Sequence, residues 1–152
     1  MRHRTVLCRL SAALLLALSL PLAAQQFEQV GDYQIHYSAV NTSFLSEEIA
    51  RAHDIPRNRA MALLNVSVLE ERDDGTTRPV NAQVDGQVGE LGSDTGSPLA
   101  FRTLRDDDGL LSQVAVFRIH EDAPMRFDLD VRYDRNAEPA EVSFIQRFYI
   151  ER

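Results

Sequence analysis

The chain has 152 residues, of which 23 are acidic and 16 are basic, and its formal net charge is −7. Affinity for nucleic acid or anionic lipid surfaces comes largely from clustered Lys and Arg, so this balance argues against both as partners. The only cysteine is Cys8, which excludes a disulfide framework.

The first 24 residues have the pattern of a secretory signal peptide. Three arginines precede an apolar run over residues 10–20, and small residues follow in "PLAAQQ". The run is about half the length needed to span a bilayer, so a membrane anchor is the weaker interpretation. We expect cleavage after Ala24, with Ala23 as the alternative. The prediction is therefore a periplasmic chain over residues 25–152, with Cys8 removed.

The chain that remains after cleavage is strongly acidic. It keeps 13 basic and all 23 acidic residues, a formal charge of −10. Its 128 residues are enough to bury about two thirds of the unfolded surface without disulfides. We therefore expect a single domain over residues 25–152.

Short segments of alternating apolar and polar residues recur along this domain, which is typical of strands with one buried face. The first covers residues 33–39, and the second carries Leu64, Val66 and Val68. A third carries Val80, Ala82 and Val84 and opens with Pro79, which suits an edge strand because proline cannot donate to a ladder.

The second half of the domain continues this pattern. A glycine-rich stretch over residues 85–98 predicts a mobile loop. Residues 99–104 and 110–119 are expected to pair across "RDDDG", and the second of them is apolar on both faces, as in a central strand. Residues 125–131 and 142–150 supply the last two strands.

These segments predict an all-β fold, an antiparallel two-sheet β-sandwich of immunoglobulin-like type with one short helix. A closed barrel would give the same alternation and stays open as an alternative.

The helix is expected between the first and second strands. Ser46 is a good N-cap, Leu45, Ile49 and Ala52 form an apolar stripe, and Pro56 ends the element. These local signals predict a connector that crosses the end of the sandwich. The remaining residues of interest are Arg57, Asn58 and Arg59.

Arg57, Asn58 and Arg59 are the candidate binding residues. The two arginines stand two residues apart beside a helix end, where they would hold a carboxylate in a forked contact. An ordinary salt bridge to one of the 23 acidic residues is the alternative.

Three histidines, His36, His53 and His120, are weak candidates for zinc or copper ligands. They are far apart in the sequence and lack a short ligand spacing, so we predict no metal site and no cofactor. The "DDG" and "DDDG" runs lack the ligand pattern of an EF-hand loop and are better explained as turns.

No catalytic residues are predicted. The chain has no Gly-x-Ser-x-Gly elbow and no His-Glu-x-x-His pair. Asp128 and Asp130 share a strand face as glycosidase acids do, but Arg126 and Arg132 flank them, which favours an ion-pair ladder. We therefore expect a protein that is not an enzyme.

Four segments together carry a resemblance: "GDYQIHYSAVNTSFL", "EIARAHDI", "RNRAMALLNVSVL" and "FIQRFYIER". With them the chain resembles a family of short secreted proteins of Gram-negative bacteria that is classified only as a domain of unknown function. The resemblance implies a periplasmic, mainly β domain of this size. It implies no activity, substrate or catalytic residues.

The function that fits these features best is a protein-binding or assembly module of the cell envelope, which needs no catalytic groups. The alternative is a small-ligand or metal carrier that uses the sandwich interior or the histidines. The sequence leaves the partner and the oligomeric state open.

Overall fold

A computed structural model describes residues 26–120 and 122–150, which form ten strands in two antiparallel sheets. The predicted all-β sandwich is confirmed. The strands are β1 (Gln26–Val30), β2 (Tyr33–Asn41), β3 (Met61–Glu71), β4 (Thr77–Val80), β5 (Gln83–Glu90), β6 (Ser97–Pro98), β7 (Arg102–Arg105), β8 (Leu111–Arg118), β9 (Pro124–Arg132) and β10 (Ala140–Arg147).

The strand order is that of an immunoglobulin-like sandwich. The first sheet runs β1-β2-β3-β8-β7, with β4 also paired to β3, and the second runs β10-β9-β5-β6. Strands β2, β3, β8 and β7 therefore take the places A-B-E-D, and β5, β9 and β10 the places C-F-G. The two sheets are separate, which decides between the sandwich and the closed barrel.

Alternating residues of both sheets fill the core between them. Leu64, Val66 and Val68 on β3 are at most 1% exposed, as their alternation predicted. The centre holds a cluster of aromatic rings around Phe127 of β9, which stacks on Phe144 with ring centres 4.5 Å apart. These rings occupy the middle of the interior, where the carrier hypothesis placed a ligand.

The single α-helix, α1 (Glu47–Ala52), begins where predicted, because the Ser46 hydroxyl accepts a hydrogen bond from the Ile49 N–H at 3.2 Å. A 3-10 turn, Thr42–Phe44, precedes it. The predicted apolar stripe is wrong, since Ile49 is half exposed whereas Ala50 is buried. Ala50 packs with residues on the outer face of the first sheet, so α1 covers that face rather than the end of the sandwich.

The third predicted strand is in fact two strands in different sheets. β4 pairs with β3 in the first sheet, and β5 pairs with β9 in the second. The chain changes sheets at Asn81 and Ala82, where the Ala82 N–H donates to the Val80 carbonyl and breaks the extended run.

The predicted mobile loop over residues 85–98 is largely strand. β5 extends to Glu90 because Val84 and Val88 face the core on either side of Gly86. A Cβ on Gly86 would lie 2.6 Å from the Leu129 side chain, so Leu129 occupies the space that the glycine leaves. Only residues 91–96 connect β5 and β6 as a loop.

The predicted signal peptide, residues 1–24, lies outside the described residues. Within residues 26–120 and 122–150, none of the helical segments has the length and apolar character that a bilayer crossing requires.

Candidate functional site

Arg57 and Arg59 follow α1 in an exposed segment, where Arg57 makes contacts within the chain. The Arg57 guanidinium lies 3.8 Å from the Glu47 carboxylate and donates to the Ser43 carbonyl at 3.3 Å. Arg57 thus holds the 3-10 turn and α1 to the chain that follows them. Arg59 is exposed.

Asn58 has a structural role in the turn before β3. Its backbone N–H donates to the Thr42 hydroxyl at 2.9 Å, and that hydroxyl donates back to the Asn58 carbonyl at the same distance. The Asn58 side-chain oxygen accepts from the Ala60 N–H at 2.8 Å. Thr42 is fully buried, so these bonds satisfy a polar group that would otherwise be orphaned.

A third arginine, Arg102 of β7, contacts the same region and was missed in the sequence. Its guanidinium donates to the carbonyls of His53 and, at 3.1 Å, Asp54 at the end of α1. A cation at a helix C-terminus stabilises the free carbonyls there. The contact spans nearly fifty residues, so no local pattern could have indicated it.

The three histidines lie at separate places. His36 of β2 stacks on Phe27 at 5.3 Å, and burial lowers its pKa. His53 caps α1, and His120 lies 3.3 Å from the Glu90 carboxylate. Across residues 26–120 and 122–150, no three His, Cys, Asp or Glu side chains are grouped so that they could hold a metal ion.

The outer face of the second sheet carries the charged residues of β9. Arg126 lies 3.1 Å from Asp128, and the Ser143 hydroxyl donates to the same carboxylate at 2.8 Å. Asp130, in contrast, stands opposite Asp85 on one neighbouring strand and Glu141 on the other. The predicted ion pair therefore exists between Arg126 and Asp128. The row of Asp85, Asp130 and Glu141 across the three strands, in contrast, is purely acidic.

β10 forms an open edge of the second sheet. The Leu91 N–H donates to the Pro124 carbonyl, which places the backbone groups of even-numbered β9 residues on the β5 side. Odd-numbered β9 residues then face β10, where they pair with its even-numbered residues. The N–H and C=O groups of Glu141, Ser143, Ile145 and Arg147 therefore point away from the sheet.

β10 lies over β2, which leaves β1 without a strand above it. Phe144 of β10 stacks on Tyr37 of β2 at 4.7 Å, and the Gln146 amide donates to the Ala39 carbonyl at 3.0 Å. β1 is one strand further out in the first sheet. Among the described strands of the second sheet, none lies beyond β10.

The inner face of β1 is correspondingly open on one side. Glu28 stands opposite the buried Ile35, so its side chain is on the face toward the second sheet. Burial, and then the Glu28 carboxylate, raise the pKa of the Tyr37 hydroxyl. We call the space bounded by the inner face of β1 and the free edge of β10 the β1–β10 groove.

The family described as "Domain of unknown function (DUF4426)" matches residues 27–151. The chain belongs to the DUF4426 family. Among solved structures it is similar to a DUF4426 family protein from Pseudomonas aeruginosa, with 27% identity, a TM-score of 0.70, and coverage of 84% of this chain and 96% of that one. This membership confirms the resemblance seen in the sequence.

A second solved structure shares the fold. It is FetP of uropathogenic E. coli strain F11, which was expressed recombinantly in the periplasm, and it is 9% identical, with a TM-score of 0.59 and coverage of 83% of this chain and 94% of that one. No curated protein sequence matches the chain. Function must therefore be argued from the DUF4426 sandwich itself.

Proposed function

We propose that this DUF4426 protein is a non-catalytic, protein-binding module of the cell envelope, exported to the periplasm by residues 1–24. Its partner supplies an extended segment that pairs with β10 in the β1–β10 groove. The observation that carries this proposal is the free edge of β10, eight residues long, with four N–H and four C=O groups pointing outward.

The other edge strands are shorter or guarded, and β10 is not. β6 has two residues and ends in Pro98, β7 has four and is flanked by Arg102 and Arg105, and β4 contains Pro79. Short length, proline and charge are the usual means of keeping an edge from pairing. β10 is longer than any of these and than the five-residue edge strand β1. It has no Pro, its two charged residues stand only at positions 141 and 147, and Ile145 between them is 52% exposed.

The groove favours a lone extended segment over a second copy of the sandwich. A strand added to β10 would lie about 4.8 Å from it, over the inner face of β1. A second sandwich joined in the same plane would bring its own first sheet against β1. A single strand brings no second sheet with it and would cover Tyr37, Phe144 and Val30.

Arg57, Asn58 and Arg59 stay a prediction as a secondary contact. All three residues are exposed, and Arg59 is the one for which a partner carboxylate is the natural ligand, since Arg57 already contacts Glu47. Replacement of Arg59 by Ala is expected to weaken the complex less than any change that blocks the β10 edge.

The edge is tested by in-cell photocrosslinking from position 143 of the exported protein. A photoreactive phenylalanine analogue there should give one discrete adduct. Ile145→Pro removes an outward N–H and spares the bonds to β9, so it should abolish the adduct. Ile145→Ala, which keeps the N–H, is the matched control and should retain it. No adduct, or an adduct that persists in Ile145→Pro, would refute strand addition at β10.

A further inference from the structure

A second cleft lies on the opposite side of the sandwich, where the chain crosses from β6 to β7. β7 pairs with β8 only as far as Arg102 opposite Val114. Before Arg102 the chain lies away from β8, because Ser97 and Pro98 form β6 in the second sheet and the chain crosses between the sheets from there. The divergence opens a cleft of about 520 Å³ between the end of β8 and the loop over residues 91–96.

One wall of this cleft is an unpaired strand edge. The Ile119 N–H donates to the Ala60 carbonyl on the β3 side of β8. Backbone groups alternate in direction along a strand, so the N–H and C=O groups of Val116 and Arg118 face the cleft. Within the described part of the chain, neither residue has a backbone partner on that side.

Charged groups of both signs line the same cleft. Glu90 and His120 lie 3.3 Å apart at one end, each about half exposed, and Arg118 lines the cleft as well. Arg118 precedes His120 by two residues, so a guanidinium and the Glu90–His120 pair both border the free edge of β8. The floor is apolar, with Phe117 and Met125 both buried.

We propose that this cleft binds a zwitterionic dipeptide. Its ammonium group contacts Glu90 and its carboxylate contacts the Arg118 guanidinium. Its peptide unit pairs with the free edge of β8. An extended dipeptide supplies one peptide unit for that edge and a charged group at either end, whereas a free amino acid has no peptide unit to pair with β8.

The apolar floor and the loop define the rest of the ligand. A side chain of the dipeptide packs over Phe117 and Met125, and the hydroxyls of Ser93 and Thr95 line the loop side of the cleft. The cleft surface is therefore mixed, with polar groups of the loop facing apolar side chains of β8 and β9. The cleft is on the β6–β7 side, away from β10, so its occupation does not depend on strand addition there.

Isothermal titration calorimetry of the exported protein with Ala-Phe tests the proposal. Acetylation of the amino end, or amidation of the carboxyl end, should weaken binding about tenfold or more, since each removes a charge-assisted contact. Glu90→Gln should weaken Ala-Phe to the same degree while leaving N-acetyl-Ala-Phe unchanged. Arg118→Gln should weaken the binding of Ala-Phe to the same degree and leave the affinity for Ala-Phe amide unchanged.

Two controls separate this site from the β10 edge. Glu141→Gln, an equivalent loss of an exposed carboxylate on β10, should bind Ala-Phe as the wild type does, and so should Ile145→Pro. Absence of binding by the wild-type protein would overturn the proposal. Equal affinity of Ala-Phe for wild type, Glu90→Gln and Arg118→Gln would overturn it too.

Discussion

Replacement of Phe127 by Ala tests the packing that holds the two sheets together. Phe127 has no exposed surface, and its ring contacts three others: Phe144 at 4.5 Å, Phe117 at 5.2 Å and Phe148 at 6.2 Å. A buried Phe→Ala change costs about 3–5 kcal/mol, and each aromatic pair adds about 0.5–1.5 kcal/mol beyond its buried area. We therefore expect a loss of unfolding free energy near the top of that range, about 4–5 kcal/mol.

Such a loss is a large share of the about 5–15 kcal/mol that stabilises a typical domain. At roughly 4 °C per kcal/mol for a domain of this size, the melting temperature should fall by about 15–20 °C. Urea unfolding followed by circular dichroism gives the free energy, and a thermal scan gives the melting temperature.

Phe27→Ala is the matched control for this change. Phe27 is 54% exposed and stacks only on His36 among the described rings, so its loss should cost less than about 1 kcal/mol. Equal destabilisation by the two substitutions, or a loss below about 2 kcal/mol in Phe127→Ala, would show that the aromatic cluster is not the centre of the core.

Three further predictions concern other elements. Leu64→Ala, on a residue with no exposed surface, should cost about 2–5 kcal/mol in urea unfolding, and a loss below about 1 kcal/mol would contradict its burial. Ser46→Ala removes the cap on the Ile49 N–H and should cost about 1 kcal/mol, whereas Ser46→Asp should retain most of the stability. Burial lowers the pKa of His36, so the unfolded chain binds a proton at this imidazole more tightly than the folded protein does. The free energy of unfolding should therefore decrease as the pH falls below about 6.5. His36→Gln should make this decrease smaller, and an unchanged slope would contradict the role of His36.

Period-two alternation was a sufficient guide to most of the sandwich. Residues 33–39, 64–68 and 125–131 were assigned to strands with the correct inner face, because each has one dry and one wet side. The short helix was predicted from its cap and its proline stop, since these signals are local. These are the parts of a fold that a single sequence encodes within a few neighbouring residues.

The errors fall where long-range packing overrides local composition. β1 was missed because "QFEQV" is mostly polar and is strand only through its pairing with β2. β5 was taken for a loop because its glycines are turn formers, although Gly86 serves to admit the Leu129 side chain. Ile49 was placed inward because the position of α1 on the first sheet is decided by Ala50 and its partners there.

The candidate sites were beyond the reach of the sequence for the same reason. Whether a strand is an edge depends on the order of all the strands in its sheet, and neither β10 nor the end of β8 differs locally from a central strand. The absence of Pro from residues 140–147 was the one available signal, and it gains meaning only once β10 is known to be an edge.

The most direct test of strand addition is amide hydrogen exchange of β10, measured by NMR on the free protein and on its photocrosslinked complex. In the free protein, the amides of Val142, Phe144 and Gln146 should be protected by β9, and those of Ser143 and Ile145 should exchange rapidly. In the complex, the amides of Ile145 and of the photoreactive residue that replaces Ser143 should become protected as well. Protection of these two amides in the free protein, or their continued rapid exchange in the complex, would contradict a free edge that receives a partner strand.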